Sequence, residues 1–286
     1  MVQRLRRSKL FVPGNRPDLM RKAAAGPADS LSFDLEDAVP QDGKSGAREI
    51  TAAFLAAGAS GCGKQIVVRV NALDTGLMIA DILAVASAPL HAINVPKCES
   101  PRDLHVADAV LAHVEAGRGL PRGSIGLMAT IETPAGLRNA HAIAGACPRV
   151  DAIQLGLGDL KAVTGMRPQT HRLGAVRTLV ILAAAEAGIA AFDSAFVNVV
   201  DAAAFETDAT EARDLGFAGK SCIHPSQVEP CNRIFAPADS DIEEARALLR
   251  TYDDAAQRGI GAVLFRGRLV DAVHAAEARK FLGQLS

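Results

Sequence analysis

Residues 125–160, IGLMATIETPAGLRNAHAIAGACPRVDAIQLGLGDL, contain two apolar runs that each stop at a carboxylate, Glu132 and Asp159. One amphipathic segment, Ala135 to Ala146, lies between them, so the stretch reads as strand, acid, helix, strand, acid. The spacing 159 − 132 = 27 residues fits one βα repeat. Successive strands joined by a helical crossover run parallel, which puts both acids at the same sheet edge. Two carboxylates so placed can hold a hard cation such as Mg²⁺, whose other positions stay open to water or substrate. The same residues also suit helix caps, Glu132 beside Thr133-Pro134 and Asp159 at the start of its own helix.

The pattern recurs along the chain. Short β-rich runs at Lys9–Val12, Ser30–Leu35, Ile66–Val70, Ala92–Val95, Ile125–Ile131, Ala152–Leu157, Ile189–Phe192 and Gly219–Ile223 each precede a polar or Gly/Pro signal and a helical segment. At or just after the run ends stand Pro13-Gly14-Asn15-Arg16, Glu36-Asp37, Arg69 with Asn71, Pro96-Lys97, Glu132, Asp159, Asp193 and His224-Pro225. Eight βα units predict an α/β fold of the TIM (β/α)₈ type, whose active sites sit at the C-terminal strand ends. A doubly wound sheet is disfavoured, because no G-x-G-x-x-G follows the first strand and no Walker-type loop is present.

After the eighth strand the pattern changes. Ser240 with Glu243 predicts a capping box for a helix to about Gln257, Gly259 to Arg268 a turn or short hairpin, and Leu269 to Leu282 a further helix. The expected organisation is a catalytic barrel over 1–235 and a helical and hairpin extension over 236–286.

The 286 residues carry a formal net charge of −1, no Trp and 4% aromatics, which gives no basis for nucleic-acid or membrane-surface binding. Five cysteines at scattered spacings contain no Cys-x-x-Cys pair, as expected of reduced cytoplasmic thiols. The most apolar stretch, Thr178 to Phe192, is interrupted by Glu186 and Gly188 and reads as helix then strand.

Taken together, Arg7-Ser8, Val12-Pro13-Gly14, Asp34-Leu35-Glu36-Asp37-Ala38-Val39 with Lys44 and Arg48, Val68-Arg69-Val70-Asn71, Pro96-Lys97, Ile131-Glu132-Thr133, Gly158-Asp159-Leu160, Gly219-Lys220 and Ile223-His224-Pro225 resemble the citrate lyase beta-subunit-like proteins. These belong to the HpcH/HpaI aldolase and CoA-ester lyase group, which includes malyl-CoA and citramalyl-CoA lyases. The resemblance runs from residue 7 to about residue 275 and lies in the order of many short motifs, each weak alone.

The resemblance implies a Mg²⁺-dependent barrel that cleaves a carbon–carbon bond of a short 3-hydroxyacyl-CoA to acetyl-CoA and a 2-oxoacid. Glu132 and Asp159 match the metal ligands, and Arg69 the arginine that binds the oxoacid carboxylate. With two carboxylates already meeting the modest needs of a Mg²⁺ site, Glu36 and Asp37 are read as ordering metal-bound water or Lys44, Glu36 joining Arg69 and Asp271 in the expected catalytic set; both equally suit helix caps. Pro13, Gly14 and Arg16 match the CoA-binding edge, and Lys44 is grouped with them as a substrate-side residue. Gly267-Arg268-Leu269-Val270-Asp271 resembles a Gly-x-Met-Val-Asp segment whose aspartate reaches a neighbouring subunit as general acid/base. Leu269 replaces its Met, a volume-conserving change. Asp271 also suits a helix N-cap. A homo-oligomer, trimer or hexamer, is therefore expected, with acyl-CoA and 2-oxoacid as small-molecule partners.

Leu155 stands where an aromatic residue is usual, and Val176-Arg177-Thr178 replaces Ala-Arg-Ser, changes that bear on which acid is accepted. Lys97 could contact substrate or a carboxylate, and His224 is expected to shape the site. Two alternatives remain open: thioester hydrolysis at the same site, and action as the beta subunit of a citrate lyase on a carrier-bound citryl thioester.

Overall fold

The computed structural model describes residues 6–58, 62–167 and 170–283. Eight strands form a closed parallel barrel: β1 (Ser8–Pro13), β2 (Ser30–Asp34), β3 (Gln65–Arg69), β4 (Ala92–Val95), β5 (Gly126–Ile131), β6 (Val150–Leu155), β7 (Ala190–Asp193) and β8 (Gly219–Cys222). The ring closes where Lys9 of β1 pairs with Ser30 of β2 on one side and Ser221 of β8 on the other. The intervening helices are α1 (Pro17–Ala25), α2 (Lys44–Ala56), α3 (Met78–Val85), α4 (Pro101–Gly117), α5 (Pro134–Arg138), α6 (Ala140–Ala144), α7 (Leu157–Thr164), α8 (Thr170–Ala187), α9 (Ala202–Asp214) and α10 (Val228–Ile234). The barrel expected from the repeated pattern is the fold observed.

Alternation along the strands divides the side chains between two environments. One set, including Leu31, Phe33, Ile66, Val68, Ile93, Ile131 and Ile153, packs with the helices in the main apolar core. The other set faces the lumen, where Met128, Ala152 and Phe192 form a separate small cluster. α4 begins with a complete capping box, in which Ser100 and Asp103 satisfy each other's backbone N–H groups. The segment after Glu132 is two short helices, α5 capped by the Thr133 hydroxyl through Gly136 N–H, and α6, parted at Asn139.

The chain divides into two compact units, Arg6–Phe235 and the residues from Ala236 onward. The second contains α11 (Asp239–Ala256), an antiparallel hairpin of β9 (Ala262–Phe265) and β10 (Arg268–Asp271), and α12 (Ala272–Gly283). Two details differ from the sequence expectation. Ser240 caps nothing: α11 starts at Asp239 after Ala238, and Asp239 and Asp241 in its first turn favour the positive end of the helix instead. The final helix starts at Ala272 and not at Leu269, because Leu269 is 68% exposed while Val270 is 2% exposed, the two-residue alternation of a strand. The hairpin turns at Arg266 and Gly267, both with positive φ (47° and 81°), as a tight two-residue turn requires.

Among the described residues, no helix is long and apolar enough to cross a membrane.

Candidate active site

The C-terminal ends of β2, β3, β4, β5 and β6 deliver the charged residues. Arg69, the last residue of β3, makes a bidentate pair with Asp34, the last residue of β2: Nε donates to Oδ1 at 2.8 Å and Nη2 to Oδ2 at 2.7 Å. Its third nitrogen, Nη1, lies 2.9 Å from Glu36 Oε2 and 3.5 Å from Asp37 Oδ2. Burial opposes a charge there, but these carboxylates outweigh it and hold Arg69 above its ordinary pKa. The guanidinium Cζ lies over the ring of Phe11, 5.1 Å from its centroid.

Lys97 follows β4 with a positive φ of 49°. That turn points its backbone N–H at Glu132 Oε1 (2.7 Å) while its ammonium donates to Glu36 Oε1 (2.6 Å). Glu36 Oε2 lies near Arg69 yet has no partner in hydrogen-bonding geometry, an ion pair with a free lone pair. Burial raises the pKa of Glu36 against the pull of Arg69 and Lys97.

Glu132 follows β5 and is buried. Burial, then Glu36 and Asp159, push its carboxyl up to about 8, against the Lys97 N–H. It lies over Gly156, which succeeds β6; a Cβ there would overlap Glu132 Oε2 and stand 2.5 Å from Glu132 Cβ. Glycine at this position is therefore a requirement of the carboxylate. Asp159 sits in the first turn of α7, close enough for its charge to act on both Glu132 and Lys97. Five carboxylates, Asp34, Glu36, Asp37, Glu132 and Asp159, face two cations, Arg69 and Lys97, so the pocket has a formal excess of three negative charges.

The chain belongs to the HpcH/HpaI aldolase/citrate lyase family. The family model matches residues 7–225, which include every strand end just described. The citrate lyase subunit beta of Leuconostoc mesenteroides subsp. cremoris is 36% identical over 271 residues, 94% of this chain and 89% of the relative. The L-malyl-CoA/beta-methylmalyl-CoA lyase of Cereibacter sphaeroides is 33% identical over 302 residues, covering 97% and 94%. Among solved structures, the CitE protein of Mycobacterium tuberculosis in complex with magnesium, acetoacetate and coenzyme A aligns with a TM-score of 0.74 and 28% identity over 97% of each chain. Membership in the HpcH/HpaI aldolase/citrate lyase family makes this chain one of the carbon–carbon lyases.

The remaining residues expected at this family's site fall in different surroundings. Gly14 is fixed by packing: its N–H donates to Asp34 O at 2.8 Å, and a Cβ would meet Leu35, Asp34 O and Thr51 at 2.8–2.9 Å. Lys44 is buried and gives its ammonium to Leu35 O (2.7 Å) and Glu36 O (2.6 Å), holding the loop that presents Glu36. Pro13 ends β1 opposite Asp34. Arg16 is exposed and pairs with Asp18 at 3.0 Å. His224 is exposed and turns onto Ser226. Asp271 lies in the second unit as the cap of α12: Oδ1 accepts the Val273 N–H at 3.0 Å and meets His274 Nδ1 at 2.8 Å. The His274 contact lowers its pKa.

Two contributions to the site are not marked by the sequence pattern. Asp34 lies within the quoted motif, but the apolar run continues through buried Leu35, which hides an acid at the true strand end. The backbone role of Lys97 follows from its unusual φ, for which the sequence offers no sign beyond the preceding Pro96.

Proposed function

We propose that the protein is a Mg²⁺-dependent lyase that cleaves a short 3-hydroxyacyl-CoA, of the citramalyl-CoA or malyl-CoA type, to acetyl-CoA and a 2-oxoacid. The observation that carries this reading is the convergence of Glu132 and Asp159 at adjacent strand ends, with Arg69 and Lys97 on the same rim.

The donor set fits a hard divalent cation. Glu132 and Asp159 offer hard oxygen donors, a cation between them would relieve the burial and carboxylate crowding that raise the Glu132 carboxyl, and the Gly156 gap leaves Glu132 room. Among the described residues no three His, Cys, Asp or Glu side chains surround one point. Mg²⁺ suits such a place, since it is commonly held by one or two carboxylates and fills its octahedron with water and substrate oxygens. When bound, it supplies Lewis-acid polarisation of the substrate oxygens and a template for their orientation.

The residues of the chain account for the rest. Arg69 offers its fork to the carboxylate of the acid half, and its grip on Asp34 fixes the guanidinium plane. In the lysis direction the hydroxyl loses its proton, the bond between the hydroxyl carbon and the thioester α-carbon breaks, and the resulting enolate takes up a proton. Glu36, raised in pKa and bridged to Lys97, is the acid/base group within the pocket. We assign the proton delivered to the enolate to Asp271 of a second copy in a homo-oligomer. The Asp271 side chain is half-exposed, and Leu264, Leu269 and Val273 around it are 68–72% exposed, an apolar surface suited to burial against another subunit.

A carrier-bound citryl thioester is the second reading, favoured by the relatives named citrate lyase subunit beta at 34–36% identity. The test is mass spectrometry of the products from citramalyl-CoA and malyl-CoA with and without Mg²⁺. Acetyl-CoA formed only with Mg²⁺ is the expected result. Free CoA would make the protein a thioesterase, and silence on both esters would move the substrate to a carrier protein.

A further inference from the structure

We infer that Ser194 is a positioning residue for Asp159: it caps, from the neighbouring strand, the helix that holds this carboxylate, and a buried ion network fixes it there. The inference rests on Asp159 as a Mg²⁺ ligand.

The opening N–H groups of a helix have no partner within it and need one outside. α7 begins at Leu157, and its N-cap residue is Gly156, which has no side chain to offer. The Gly156 N–H is already spent on Ile131 O at 2.9 Å. The Leu157 N–H is taken instead by Ser194 Oγ at 3.0 Å, in buried surroundings. Asp159 is two residues further on, in the same turn. Glu132, by contrast, is fixed from its own side by the Lys97 N–H and by its contact with Gly156. The distance between the two carboxylates therefore depends on where the α7 terminus is held, and Ser194 holds it.

Ser194 does not float on a loop. It follows Asp193, the last residue of β7, which is 0% exposed. Arg177 of α8 grips Asp193 with Nε to Oδ1 at 3.0 Å and Nη2 to Oδ2 at 2.8 Å. Lys220 of β8 adds 2.5 Å to Asp193 Oδ2 and 2.7 Å to the carbonyl of Ser194 itself. Asp208 of α9 closes the set at 2.7 Å from Arg177 and 2.6 Å from Lys220, so two cations meet two acids out of contact with water. A buried network of this kind is weak evidence for stability, because desolvation offsets attraction, whereas fixed geometry is what it can supply. Here it clamps β7, β8, α8 and α9 around one serine, whose hydroxyl turns toward the helix that carries Asp159.

The test is calorimetric titration of the full-length protein with Mg²⁺. Ser194→Ala is expected to raise the Mg²⁺ dissociation constant about tenfold, with Ser194→Thr returning it to within about twofold and Ser194→Cys, a weaker acceptor of similar size, falling between. Asp201→Ala serves as the structural comparison. It removes the side-chain cap of α9, whose Oδ1 accepts the Ala204 N–H at 3.0 Å, and should lower the thermal midpoint without changing Mg²⁺ affinity. Wild-type affinity in Ser194→Ala, or in Ser194→Cys if the alanine variant does not fold, overturns the inference while Asp159→Asn still loses Mg²⁺. If Asp159→Asn itself binds as wild type, the ligand assignment fails, and the inference with it.

Discussion

Two glycines of the same short segment should respond oppositely to the same substitution. At Gly156 an added methyl overlaps Glu132 Oε2, stands 2.5 Å from Glu132 Cβ and 3.0 Å from Thr130 Cγ2. Glu132 Cβ is anchored to β5 and cannot swing aside, so either the strands part or the carboxylate leaves its place and its 2.7 Å bond from Lys97 N–H. Overpacking of this kind costs about 1–3 kcal/mol. Displacing a ligand carboxylate should also weaken Mg²⁺ binding by about 10- to 100-fold. At Gly158, within α7, nothing lies within 4 Å of the new methyl. Alanine there should stabilise by about 0.5–1 kcal/mol through helix propensity alone. Thermal unfolding of the two variants, with Mg²⁺ titration on each, reads both effects. For a chain of this size 1 kcal/mol corresponds to about 2 °C, so the midpoints should separate by several degrees in opposite directions. If Gly156→Ala matched the wild type in midpoint and Mg²⁺ affinity, the packing of Glu132 over Gly156 would be refuted.

Three further outcomes follow from the geometry. Arg69→Lys keeps the charge but loses the fork on Asp34, and should raise KM for the thioester and lower kcat/KM by about 100-fold, the loss of roughly 3 kcal/mol expected of a bidentate charged pair; unchanged steady-state kinetics would remove Arg69 from the site. Asp271→Asn should lower kcat by about 10²–10⁴-fold with KM nearly constant, and a kcat within a factor of about two of wild type would leave Asp271 as a helix cap only. In the barrel wall, burial opposes ionisation of Glu115, but Arg149 and the N–H groups of Gly123 and Ile125 pull its pKa from 4.5 down to about 2. A depressed carboxylate stabilises the fold above its unfolded pKa and loses that contribution as pH falls through the folded value, so up to about 3 kcal/mol should vanish between pH 4.5 and 2; chemical denaturation across that range should be flatter in Glu115→Gln, and an unchanged slope would refute the linkage.

The barrel was legible because its wall obeys simple rules: eight apolar runs, each closed by a polar signal, leave few ways to arrange the chain. Errors fell where an apolar residue belongs to the core without belonging to the strand. Leu35 and Val70 are fully buried against the helices but lie one residue past the last residue of β2 and β3, so the runs read one residue too long. That slip placed the strand-end acid at Glu36 and passed over Asp34, the residue that sets the Arg69 fork. The extension misled in another way. Its second strand is only four residues long, Arg268–Asp271, and Leu269 and Val270 also suit the helix that follows, so the boundary is set by pairing with β9 and not by local propensity. The side-chain contact of Lys97 with a carboxylate is legible from its place after β4, but its backbone N–H on Glu132 is not, since that is aimed by a positive φ.

The lumen explains why function and stability separate in this fold. On the outward faces of the strands, apolar residues merge with the helices into one core. On the inward faces, polar residues outnumber apolar ones. Lys9, Ser30, Ser32, Gln65, Asn94, Thr130, Gln154 and Ser221 are all buried, whereas barrel interiors are more usually filled by bulky branched side chains. Among the described residues Lys9 has no carboxylate in hydrogen-bonding reach; its amine meets Gln154 Oε1 and Met128 Sδ, and burial together with Arg69 and Arg6 pushes its pKa well below the ordinary lysine value. Such an interior contributes little hydrophobic free energy, so the outer layer must hold the barrel. The inner layer is thereby free to build a polar floor beneath Arg69 and Glu132. Truncation of an outward residue such as Ile93 should accordingly cost stability, at about 2–5 kcal/mol for alanine, while inward changes near Arg69 act first on binding.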